Sequence, residues 1–333
     1  MNHRNIYYLF NVLLIGITLL SCNKENDTPG ESASKIPPGN NLLYTYSDNT
    51  SYAGFLSNSP NYGIYTNSDT GGTQTQLIVS KSVAFYYPNW SNNDKIYFLS
   101  KYQGETKKQI YSINFDGTNV QRISKDTLTE YTTLDFSHIN ERFLYNKNTG
   151  GLKQLCSNNV QMNDEKVLLS GAVTASWGPN GNNIIYGNFE QNNSGQYIMN
   201  LYLMNADGTG QNKITSNTVA QLTYSTPFIS PDGNKIVYTS TRERLVNNTN
   251  YISSLTDAYT CNIDGSNEAR ITNSVPQSDF WFNANWAKDS KRVLLFHYGI
   301  RIPYTLHIYN TDDHSVKFAS SSWVMIDANI KQF

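Results

Sequence analysis

Charge is what this chain has least of. Of its 333 residues only 15% are Asp, Glu, Lys or Arg, against ~25% in an ordinary soluble domain. Lys plus Arg number 25 and Asp plus Glu 26, a net charge of −1. Such a balance gathers no phosphate backbone, which argues against nucleic acid as the main partner. It also removes the self-repulsion that keeps chains disordered. Long apolar runs are missing too: the longest, Ile6–Leu20, has 15 residues, short of the ~20 needed to cross a hydrocarbon core. There is no Gly-x-Ser-x-Gly elbow, phosphate loop, zinc motif or EF-type calcium loop, so serine-hydrolase and nucleotide chemistry lose their usual carriers, and no metal or cofactor is expected. What is abundant is Asn, Ser, Thr and 24 Tyr, a composition suited to half-buried strands and tight turns.

The first 41 residues read as address and tether. Arg4 gives a thin positive start, Ile6–Leu20 an apolar stretch, and Leu19-Leu20-Ser21-Cys22 its end. This resembles a bacterial lipobox, which implies a signal peptide over residues 1–21 and lipidation at Cys22. Cys22-Asn23-Lys24-Glu25-Asn26-Asp27 resembles the acidic export signals of Bacteroidota surface lipoproteins, and Thr28–Asn41 has the Pro, Gly, Ser and Glu content of a flexible stalk. Two cysteines remain, Cys156 and Cys261, expected as buried free thiols because they fall in non-adjacent repeats.

From Leu42 onward the chain reads as one unit repeated six times. An apolar anchor precedes a Ser-Pro-Asp-Gly-like turn and a strand: Trp90-Ser91-Asn92-Asn93-Asp94, Trp177-Gly178-Pro179-Asn180-Gly181, Ile229-Ser230-Pro231-Asp232-Gly233 and Trp286-Ala287-Lys288-Asp289-Ser290, with a degenerate copy at Phe136. A second strand ending in Asp-Gly follows, as at Asp116-Gly117, Asp207-Gly208 and Asp264-Gly265. The anchors at 90, 136, 177, 229 and 286 are 46, 41, 52 and 57 residues apart, the spacing of four-stranded propeller blades. Strands such as Lys235–Thr239 are expected to alternate faces. The fold expected is an all-β, six-bladed propeller of four-stranded antiparallel blades over 42–333. In it Ser322–Asp327 supplies the strand that blade one lacks and so closes the ring.

These repeats resemble the PD40 (WD40-like) repeat of the TolB propeller family, without that family's N-terminal α/β domain. The resemblance implies an envelope protein with protein–protein contacts.

Antiparallel strands put the loops on two faces. The short first and third turns of each blade share one; the second loops and the crossovers between blades share the other, with the long segments Asn49–Tyr62, Gln191–Gln196 and Thr241–Asp257. Function concentrates on such loops. Tyr86, Tyr87, Tyr131, Tyr224, Phe280 and Trp281 stand just before or at the start of inner strands, and Arg242 and Arg244 lie in the longest loop. Together they form the candidate binding face: rings to stack on a sugar or anchor a peptide, guanidinium groups to clamp a carboxylate. His297 and His307 flank one hairpin without the carboxylate company of a metal centre. The expectation is a monomeric, lipid-anchored, non-catalytic envelope module, on the outer membrane and facing the periplasm or the outside, for a protein or glycan partner. A carbohydrate lyase or hydrolase working at the channel mouth is the alternative.

Overall fold

The computed structural model describes residues 42–47, 62–67, 75–218, 223–224, 227–241, 256–273, 279–299, 302–321 and 325–330. All belong to the compact unit Ser34–Phe333; the unit Met1–Ala33 lies outside the described residues, and with it Cys22. Apart from one 3-10 turn, Tyr102–Gly104, the described elements are strands.

Five blades are cut from continuous chain, each four antiparallel strands in sequence order. Blade two is β4 (Phe85–Trp90), β5 (Lys95–Ser100), β6 (Gln109–Asn114) and β7 (Gln121–Arg122); blade three is β8 (Glu130–Ser137), β9 (Arg142–Thr149), β10 (Leu152–Asn159) and β11 (Lys166–Ser170). Blade four comprises β12 (Ala172–Trp177), β13 (Asn183–Gln191), β14 (Tyr197–Asn205) and β15 (Asn212–Lys213). Blade five comprises β16 (Phe228–Ile229), β17 (Lys235–Ser240), β18 (Asp257–Asn262) and β19 (Ala269–Arg270), and blade six β20 (Asp279–Trp286), β21 (Arg292–Gly299), β22 (Ile302–Asn310) and β23 (Val316–Ser321).

The picture of one unit repeated six times therefore needs correction: the contiguous blades number five, not six. The remaining four-stranded sheet, here blade one, is spliced from both ends of the described chain, in the order β24 (Met325–Ile330), β1 (Leu42–Ser47), β2 (Tyr62–Asn67), β3 (Thr75–Ser80). The splice is also displaced from Ser322–Asp327: Leu42 pairs with Ile330, Tyr44 with Ala328, and a bulge brings Met325 opposite Tyr46. The inner strands β24, β4, β8, β12, β16 and β20 neighbour one another in that order, and β20 returns to β24.

Stacking the sheets face to face buries both of the faces between which these side chains alternate. In the second strand of a blade both faces meet a neighbouring blade. Ile96 through Ser100, Ile236 through Ser240 and Val293 through His297 are thus buried without interruption. A strand buried on both sides reads as a continuous apolar run, not a period of two. Cys156 and Cys261 sit in this core as free thiols, each pushed up to about 12 by burial, and so are poor nucleophiles.

Two devices tie blade to blade. The residues before three of the anchors, Trp90, Phe136 and Trp177, reach toward the next blade's inner strand. Asn89 Nδ2 donates to the Leu134 carbonyl at 3.3 Å, the Asp135 carboxylate accepts from the Trp177 backbone N–H at 2.7 Å, and Ser176 Oγ donates to the Pro227 carbonyl. Between blades five and six, Trp286 Nε1 donates to the Phe228 carbonyl at 3.1 Å. The first turns are laced as well: Asn92 Nδ2 donates to the His138 carbonyl at 2.7 Å, Asn140 Nδ2 to the Gly181 carbonyl at 2.8 Å, and the Asp232 backbone N–H to Ser290 Oγ at 2.9 Å.

Asp135 has a measurable signature. Burial pushes its carboxyl up to about 6, against the pull of the Trp177 and Phe136 N–H donors. A carboxyl whose folded pKa is raised binds its proton more tightly folded than unfolded. Stability therefore rises as the pH falls from about 6 toward the unfolded value near 4, and above 6 the full cost of the charge is paid. Asp135→Asn is expected to flatten this: relative to wild type, its stability shifts by about 2 kcal/mol between pH 7.5 and 4.5. Urea melts across that range check it; parallel curves for the two proteins would refute the assignment.

Candidate functional site

Strand direction puts the second loops of the blades and the crossovers between blades at one face, and that face carries the cavity of interest. A cleft of about 760 Å³ opens between blades one, two and three, lined by Tyr62, Ser82, Tyr86, Lys101, Lys108 and Glu130 among others. Its outer wall is the loop joining β5 to β6, whose sequence Lys101-Tyr102-Gln103-Gly104-Glu105-Thr106-Lys107-Lys108 winds through the 3-10 turn with Gln103 at φ 59. The loop is pinned at three points. Tyr111 Oη donates to the Tyr102 carbonyl at 2.8 Å, Arg122 binds Glu105 at 2.5 Å, and Lys107 Nζ donates to the Leu128 carbonyl.

The inner wall is β4, and it is irregular. A bulge separates Tyr86 from Asn89, and Tyr87 adopts φ 49. Bulges also interrupt β8 and β12 near their starts and β20 past its middle, but among the described residues Tyr87 is the one non-glycine residue at positive φ in such a bulge. An aromatic residue there is strained, and such strain persists where the surroundings hold it. Asn89 Nδ2 does part of the holding, donating to the Tyr87 carbonyl at 2.8 Å. Tyr86 is half-buried beside the cleft, with the Lys108 ammonium 5.1 Å from its ring centroid, a cation–π distance.

The candidate face is divided by the structure. Tyr86 lines the cleft and Tyr87 packs half-buried against the core of blades two and three. Tyr131 and Tyr224 present no ring to a partner. Each is 4% exposed, Tyr131 edge-on to Tyr145 at 5.1 Å and Tyr224 edge-on to Tyr238 at 5.5 Å. They fill the wedge between stacked blades, and burial holds the Tyr131 phenol well above its ordinary pKa. Trp281 is half-buried against His297, centroids 4.4 Å apart, and stands 5.1 Å from His307. It lines a groove of about 570 Å³ between blades five and six with Ile271, His307 and Phe318. The side chain of Phe280, the whole of Arg242 and Arg244, and most of the loops over 49–62 and 241–257 lie outside the described residues.

The histidines pack as aromatic rings. His307 Nε2 lies 2.9 Å from Thr305 Oγ1, and burial, then the nearby His297, hold His307 below its usual pKa. Among the described residues no group of three or more His, Cys, Asp or Glu is placed to share a metal ion. The turn aspartates are committed locally: Asp207 accepts from the Thr209 backbone at 2.9 Å and hydroxyl at 2.7 Å, and Asp264 does the same with Ser266.

Sequence reasoning passed over two features of this face. One is the charged loop, four of whose eight residues are Lys or Glu in a chain otherwise poor in charge; that contrast was its signal. The other is a set of exposed apolar side chains. Leu128 precedes β8, Leu152 opens β10, Val173 is second in β12, and Phe189 and Tyr197 flank the loop between β13 and β14. All five stand at the same end of their blades, and Leu128 and Tyr197 are 72% and 65% exposed.

No protein-family profile matches the chain, and no curated protein does. Solved structures match in fold. TolB from Acinetobacter baumannii superposes with a TM-score of 0.64 at 15% identity, covering 89% of this chain and 68% of its own. A chain of a nidogen/laminin complex gives 0.61 at 8% identity over 88% and 98%. An oligogalacturonate lyase in complex with manganese gives 0.53 at 10% over 85% and 74%. At these identities the likeness is one of fold: a TolB-like β-propeller.

Proposed function

We propose that this chain is a lipid-anchored, non-catalytic propeller of the bacterial envelope, held by a lipidated Cys22 and a stalk over 23–41, that docks a partner protein on its loop face. The observation that carries the reading is the set Leu128, Leu152, Val173, Phe189 and Tyr197, exposed at one end of blades three and four and of the crossover before them. Loose apolar side chains are ordinary on a protein surface; five gathered on the face that carries the connecting loops mark a docking surface. The similarity in fold to TolB and to a chain of the nidogen/laminin complex supports a binding role, within the rule that fold alone does not assign function. Among the described residues no helix is long and apolar enough to cross a membrane.

The test is crosslinked capture of the native lipidated protein from its own membranes, alongside Phe189→Ser/Tyr197→Ser. A stoichiometric protein lost in the double variant is the expected result; capture undiminished by it would overturn the docking face. A second reading, a carbohydrate lyase or hydrolase, rests on the His297–His307 pair beside Trp281. It demands polysaccharide turnover that disappears in His307→Ala.

A further inference from the structure

The loop ends of blades two and three carry a charge that the rest of the chain lacks. Segments 81–84, 101–108, 123–130 and 147–153 hold seven lysines against Glu105, Asp126 and Glu130, an excess of four positive charges. Two ion pairs reach out of these segments and cancel: Arg122 with Glu105, and Glu165 with Lys147. The whole sequence sums to −1, so with +4 here its remainder sums to −5. Asp126 counts in full, because the Thr129 hydroxyl and the Leu128 N–H hold its carboxyl below the usual carboxylate range. The four segments meet in one surface. Ser82, Lys101, Lys108 and Glu130 line the same cleft, Lys107 Nζ donates to the Leu128 carbonyl, and Thr129 Oγ1 lies 2.8 Å from Thr149 Oγ1. Lys81, Lys101, Lys125 and Lys153 are exposed, and none has a carboxylate of the described residues within ion-pair distance. Like charges gathered at one end repel one another, a cost that an acidic partner removes.

We infer that these loop ends dock an acidic surface patch of the partner protein, its carboxylates meeting the lysines around Leu128 and Leu152. The inference rests on the docking reading above and names the charge of the partner. Two observations favour a protein surface over a bilayer or an anionic polysaccharide. Leu128 stands between Lys125 and Glu130 in the chain and Leu152 directly before Lys153, and both leucines are exposed. Apolar side chains ringed by charge are the pattern of a protein interface, with its apolar centre and polar rim. The acids are also interspersed: Asp126 follows Lys125, and Glu130 lines the cleft with Lys101 and Lys108. A uniformly anionic surface would meet both acids with like charge. A folded partner can set a donor opposite each of them, which fixes register as well as affinity.

The experiment is zero-length carbodiimide crosslinking of the full lipidated chain in its own membranes, which joins a carboxylate directly to a lysine, with mass spectrometry of the linked peptides. Links are expected from Lys101, Lys125 or Lys153 to Asp or Glu of one partner protein. They are expected to decline steeply with salt, and to fall about tenfold in Lys101→Gln/Lys125→Gln/Lys153→Gln. A control pair of exposed lysines at the opposite end of the blades, Lys166→Gln/Lys288→Gln, is expected to link as wild type, and melting curves verify that all variants fold. Links spread over both ends of the propeller, links undiminished by the triple variant, or no link to any protein overturn the inference. Flotation of Cys22→Ser, which carries no lipid, with phosphatidylglycerol vesicles runs alongside: lysine-dependent flotation without protein links overturns it in favour of a membrane. The two readings fail separately. Capture lost in Phe189→Ser/Tyr197→Ser but blind to the three lysines removes the acidic partner and leaves the apolar docking face; lysine-dependent links that survive that double variant do the reverse.

Discussion

A chain ending at Ser321 is expected to lose its soluble monomer. The deletion removes β24, whose backbone pairs with β1 from Leu42↔Ile330 to Tyr46↔Met325 and whose neighbours are β4 and β20. Blade one would then start at β1, and the ring would open where its two ends are spliced. An opened ring exposes the faces of two blades to water as well as the unpaired edge of β1, a template for pairing with other chains. Propeller blades contact only their neighbours in the ring and cannot bury their faces alone. The loss is of the order of the whole folding free energy, about 5–15 kcal/mol. Size-exclusion chromatography and thermal melts check it: aggregates or no cooperative transition are expected, and a monomer melting within a few degrees of the full chain would refute the splice. Adding a peptide of residues 322–333 in trans separates the cause from general damage, since only a missing strand is restored by supplying that strand.

The architecture was legible because its signals are local. Trp90, Trp177 and Trp286 recur at one place in their blades, and the third turns of blades two, four and five carry Asp side chains that accept from their own backbone and Gly residues at positive φ. Those requirements are written within ten residues. What sequence reading misplaced depends on neighbours distant in the chain. Tyr131 and Tyr224 were assigned to a rim because they stand beside inner strands, yet the adjoining blade covers them; whether a ring faces solvent or the next sheet is set by stacking. Both faces of Lys235–Thr239 are covered for the same reason. The cleft escaped notice because its members come from Tyr62, Tyr86, Lys101, Lys108 and Glu130 in three blades, none of them forming a motif with its sequence neighbours. Gly265 shows the same dependence on a distant neighbour at a single residue, and there the consequence can be measured.

Gly265→Ala is expected to cost about 3 kcal/mol, several times what the same change costs at a turn of similar shape. Gly265 closes the Asp-Gly turn between β18 and β19 at φ +85, its N–H donating to the Asn262 carbonyl at 2.9 Å. The turn alone would charge an alanine about 1 kcal/mol for entering the left-handed region. The larger part comes from the neighbouring blade. A Cβ at 265 would stand 2.3 Å from the Ile214 carbonyl oxygen and 3.3 Å from Ile214 Cγ2, and Ile214 is 8% exposed in the core cluster shared by blades four and five. Neither partner is a flexible side-chain tip, so relief requires one blade to move against the other, and close-packed interiors resist that. Gly233→Ala supplies the comparison: φ is +79 and nothing lies within 4 Å of its Cβ position, so only the backbone cost applies. Urea denaturation of both variants gives the contact between blades as the difference, about 2 kcal/mol. Equal destabilisation by the two would show that the turn of blade five does not bear on blade four.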